Sequence, residues 1–68
     1  MNVGPDDYRA SADELRDLLA AGWSVGDALR EMHHVRGVGW VWLIGAVVAV
    51  LGLARPDAMK LVVKETFR

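Results

Sequence analysis

The stretch GVGWVWLIGAVVAVLGLA, residues 37–54, decides the fold. Its 18 residues lie between Arg36 and Arg55 and carry no charge, their polar side-chain atoms being limited to the indole N–H groups of Trp40 and Trp42. As one unbroken helix rising 1.5 Å per residue, the run only just reaches across roughly 30 Å of hydrocarbon. Its glycines favour a shorter element. With Gly37 and Gly39 in a turn before it and Gly52 in a turn after it, the helix reduces to residues 40–51, about 18 Å long and too short to span.

The glycine reading rests on a repeat. Gly22, Gly37 and Gly52 fall 15 residues apart, each followed by an apolar residue (Trp23, Val38, Leu53). Apolar pairs then recur at Ala28-Leu29, Leu43-Ile44 and Ala58-Met59, and single apolar residues at Met32, Val47 and Val62. A turn plus a helix of ten or eleven residues, used three times, accounts for this spacing.

Start and stop signals place the remaining elements. Residues 1–10 hold Gly4-Pro5-Asp6-Asp7 without apolar periodicity and read as a flexible lead-in to a single helical domain, residues 11–68. Ser11-Ala12-Asp13-Glu14 fits a capping box, opening a helix over about 12–21 with Leu15, Leu18 and Leu19 on one stripe and Gly22 as its stop. Ser24-Val25-Gly26-Asp27 repeats the start signal for a second helix over about 25–34. Pro56 suits the first turn of a fourth helix over about 55–66. The expected fold is therefore all-α, a small bundle of four short helices.

Three of these helices have one apolar stripe and a polar back, whereas the third is apolar all round. Three stripes packed around one apolar helix make a core. A soluble, cytoplasmic bundle is the favoured reading. The alternative is a single-pass membrane protein spanning at about 37–54, its C-terminus held on the cytoplasmic side by Arg55, Lys60, Lys64 and Arg68. No secretory leader is expected, because the apolar run is internal and the N-terminal end is acidic.

Composition narrows the function. The 68 residues include no cysteine, which excludes disulfide staples and thiolate metal sites. Net charge is −1 but unevenly placed: residues 1–31 hold seven acids against Arg9, Arg16 and Arg30, and residues 32–68 hold five bases against Asp57 and Glu65. Such halves attract one another within a fold or between copies. A nucleic-acid footprint wants clustered bases and a high pI; helix-turn-helix DNA binding, with Arg55, Lys60 and Lys64 on the fourth helix, ranks third.

No acid, base and nucleophile stand in a catalytic arrangement, so no enzyme activity, cofactor or metal is expected. His33 and His34 close the second helix. Adjacent helical positions point about 100° apart, which makes a shared metal awkward, and no third ligand stands near. Gly37-Val38-Gly39 lacks the preceding strand and following lysine of a phosphate loop.

The third helix has a size gradient. Trp40, Leu43, Ile44, Val47, Val50 and Leu51 form a bulky side, while Val41, Gly45, Val48 and Gly52, with Ala46 and Ala49 beside them, form a small side interrupted by Trp42. Small residues four apart admit a second helix closely. The fourth helix of the same chain or a second copy is expected there, and the candidate interface is Val41, Trp42, Gly45, Val48 and Ala49.

Residues 52–62, with Gly52, Leu53, Asp57, Ala58, Leu61 and Val62, resemble the helix-turn-helix stretch of the ribosomal stalk protein L7/L12 C-terminal domain, with Pro56 and Met59 where that family has basic residues. The same grammar is similar to ubiquitin-associated three-helix modules. Both resemblances imply protein binding. The expected function is a non-enzymatic protein–protein interaction module that forms a homo-oligomer.

Overall fold

In the computed structural model, which describes residues 5–67, the chain forms α1 (Pro5–Ala20), α2 (Val25–Arg30), α3 (Trp40–Leu51) and α4 (Arg55–Thr66). A π-helical turn, Glu31–Val35, continues α2. The described residues contain no strand, and the architecture is the expected small all-α bundle.

The repeat governs both turns and core. Gly22, Gly37 and Gly52 have φ of 101°, 74° and 70°, and no other described residue has a positive φ. Each ends a helix in the left-handed conformation that a Cβ disfavours. At the first, the Gly22 amide donates to the Leu19 carbonyl at 3.0 Å and the Trp23 amide to the Leu18 carbonyl at 3.1 Å, the paired bonds of a Schellman stop. The corresponding apolar positions also fold alike: Ala28, Leu43 and Ala58 are fully buried, and so are Met32, Val47 and Val62. With Ala12, Leu15, Leu18, Leu29 and Ala46 they form one core.

Two expected boundaries shift. α1 begins at Pro5, not near Ser11, since proline at a helix's first position gives up an amide that has no intrahelical partner. Ser11 is accordingly a buried interior residue, not a cap. The part of the predicted lead-in before Pro5 lies outside the described residues. At Ser24 the cap does form, its Oγ accepting from the Asp27 amide at 3.2 Å. The Asp27 carboxylate turns to Arg30 and does not reach back to the Ser24 amide.

The second helix does not stay α-helical to residue 34. The Arg36 amide donates to the carbonyl five residues back, Glu31, at 3.2 Å, and the Val38 amide to Met32 at 2.9 Å. This widened turn keeps Met32 in the core while swinging both histidines toward the start of α3 and the end of α4.

α3 lies between α1 and α4, and α4 also packs on α2. Its 12 residues match the expected bounds. Among the described residues, no single helix is long and apolar enough to cross a membrane; α3 and α4 together meet that length and composition but meet at a 119° bend.

Candidate interaction surface

Where the π-helical turn, the first residue of α3 and the last residue of α4 converge, they build a polar knot. His33 Nδ1–H donates to the Val38 carbonyl at 2.8 Å, and His34 Nε2–H to the Thr66 carbonyl at 2.9 Å. A carbonyl only accepts, which assigns one proton in each ring. The indole Nε1–H of Trp40 donates to Thr66 Oγ1 at 2.8 Å, and that hydroxyl donates onward to the Val62 carbonyl at 2.7 Å. The His33 and Trp40 rings stack with centroids 5.9 Å apart, and the two imidazoles meet edge to face at 5.1 Å. Thr66 is 3% exposed and fully partnered, in keeping with the cost of burying an unpaired hydroxyl.

Ion pairs frame the knot. Arg30 binds Asp27 on its own helix and Glu65 of α4 at 2.9 Å; Gly26 makes room for this, since a Cβ there would fall 2.5 Å from Glu65 Oε1. Arg36 joins Glu14 of α1 and, at 3.5 Å, Glu31. The bond to Glu14, aided by the charge of both glutamates, raises the guanidinium above its ordinary value. Thus Arg36 of the basic half pairs with Glu14 and Glu31 of the acidic half inside one chain, while Arg30–Glu65 links the same halves with the charges reversed.

The knot is polar within and apolar at its rim. Its chain neighbours Phe67, Val35 and Val41 are 78%, 70% and 63% exposed, the three most exposed large hydrophobic residues described, and Trp40 is 40% exposed. Trp40 is therefore an edge residue held by a hydrogen bond, not the core residue its place on the bulky side of α3 implied. Leu43 and Val47 fill that core role.

The candidate interface on α3 divides. Val41 is open, Trp42 and Val48 are half-buried, and Gly45 is buried within the chain. Ala49 is exposed but lines a shallow cleft with Arg9, Ala12, Asp13 and Arg16, so α1 approaches this end of the small side. Of the five residues, Val41 alone belongs to the apolar rim. Thr66, Val35 and Phe67 were not singled out as interface residues; Thr66 offered no spacing to Trp40, and single apolar residues at helix ends carry no periodic signal.

The described residues hold no cluster of three or more histidine, cysteine, aspartate or glutamate side chains able to hold a metal. Compared with protein-family models, curated proteins and solved structures, the chain matches none.

Proposed function

We propose that this chain is a non-enzymatic interaction module that binds a second copy of itself through the apolar rim of the histidine–tryptophan knot. The observation that carries the proposal is that Trp40, 40% exposed, belongs to the hydrogen-bonded junction of α3 with α4, and that Val35, Val41 and Phe67, the most exposed large hydrophobic residues described, each adjoin one of its members in the chain. Exposed apolar residues scattered singly need no explanation, whereas a group rimmed by polar residues marks contact sites. Trp40 suits an anchor because its indole is already held by Thr66 and loses little freedom on docking. A two-fold arrangement places such a patch against itself. It also adds buried area to a chain whose length limits its own core.

Sedimentation equilibrium from 10 to 500 µM, a span set by the weak affinity expected of so small a patch, tests the reading. Wild type is expected to pass from monomer to dimer, and Val41→Asp to remain monomeric with an unchanged circular dichroism spectrum. A wild type that stays monomeric throughout contradicts self-association.

A further inference from the structure

The core stripe of α4 is Ala58, Val62 and Thr66, its far side carries Lys60 and Lys64, and the flank between them, about 100° from the core stripe, is apolar. Met59, half exposed, Val63, half-buried, and Phe67 follow one another at four-residue spacing along it. Lys60 and Lys64, both exposed, run beside them one turn apart, with Arg55 at the helix start. Met59 stands at the repeat position where Leu29 is fully buried, so the third copy of the repeat turns outward a residue type that the first copy buries. Arg16, Arg30 and Arg36 are engaged in ion pairs, whereas Arg55, Lys60 and Lys64 make none among the described residues; Asp57 is the one acid exposed on this side.

We propose that this face of α4 docks on an anionic lipid surface. The charge is complementary to acidic headgroups, and the lysine stems allow the ammonium groups to sit among phosphates while Met59 and Val63 enter the acyl boundary. A bilayer surface asks for no shape complementarity, and the shallow cleft between α1 and α3 is lined by no residue of this face. A nucleic acid would use the cations but leave the apolar row idle. A second copy would need an acidic partner face, and the exposed side of α1 mixes Asp13 and Asp17 with Arg9 and Arg16. α4 lies on the bilayer and does not cross it, which leaves the core of α3 intact.

Cosedimentation of the full chain with phosphatidylcholine vesicles, with and without a quarter phosphatidylglycerol, tests the proposal at low and high salt. Binding is expected only to the anionic vesicles, about tenfold weaker in high salt, lost in Lys60→Glu/Lys64→Glu and several-fold weaker in Met59→Ser. Lys60→Gln/Lys64→Gln serves if the charge-reversed pair fails to give a folded circular dichroism spectrum. Val41→Asp, which breaks the proposed dimer, leaves vesicle binding in place. Equal binding to both vesicle types, no binding, or binding retained by the lysine variants overturns the proposal. So does a gel shift of duplex DNA, or a dimer dissolved by the lysine changes, in a protein that ignores the vesicles.

Discussion

The indole Nε1 of Trp40 donates to Thr66 Oγ1 at 2.8 Å, joining the first residue of α3 to the last residue of α4. Thr66→Val keeps the shape and removes the acceptor, leaving a half-buried indole N–H without its partner. The expected cost is about 1–2 kcal/mol, a fall in Tm of about 4–8 °C per kcal/mol for a domain of this size. Thr66→Ser keeps the hydroxyl and is expected to retain most of the stability. Thermal melts followed by circular dichroism decide; equal melting of Thr66→Val and wild type removes the bond from the account.

Glycine changes should sort by backbone conformation. Gly22→Ala and Gly52→Ala place a Cβ at φ of 101° and 70° and are expected to cost about 1–2 kcal/mol each. Gly26 is within α2, where alanine gains up to about 1 kcal/mol of helix propensity. That gain is set against displacement of Glu65 from Arg30, so Gly26→Ala should melt close to wild type. Urea titrations of the three variants check the order, and a Gly26→Ala protein less stable than Gly22→Ala contradicts it.

Met32 is fully buried at the start of the π-helical turn. Met32→Ala leaves a cavity and is expected to cost about 2–5 kcal/mol. A chain of this length has roughly 3–10 kcal/mol in total. The variant should therefore be partly unfolded at room temperature by circular dichroism, whereas Val35→Ala, at an exposed position in the same turn, should leave the melt unchanged at concentrations where the protein is monomeric.

Sequence periodicity carried the core because burial repeats with it. The 15-residue glycine spacing located three helix ends, and the bounds of α3 and α4 followed from Gly39, Gly52 and Pro56. Signals shared by competing local structures were less informative. Pro5-Asp6-Asp7 serves a turn and a helix start equally well, and Ser11 matches a cap motif that the earlier start at Pro5 makes redundant. The π-helical turn escaped detection because a single carbonyl shift, five residues in place of four, leaves the apolar pattern around Met32 intact. The knot was invisible for a different reason: His34 and Trp40 meet Thr66 across 32 and 26 residues of chain, and no local spacing encodes that. The small side of α3 was legible as a place of close helix approach; which helix approaches near Ala49 was not.

Docking of a second copy against the Trp40 edge, as proposed, is reported directly by the indole N–H resonances. Three tryptophans give three indole signals in a nitrogen–proton correlation spectrum, with Trp40 identified by its loss in Trp40→Phe. On dilution the Trp40 signal is expected to move progressively while that of Trp23, in the turn between α1 and α2, stays fixed. In Val41→Asp the Trp40 signal should already sit at its dilute position. A Trp40 resonance that does not change with concentration in the wild type contradicts the account.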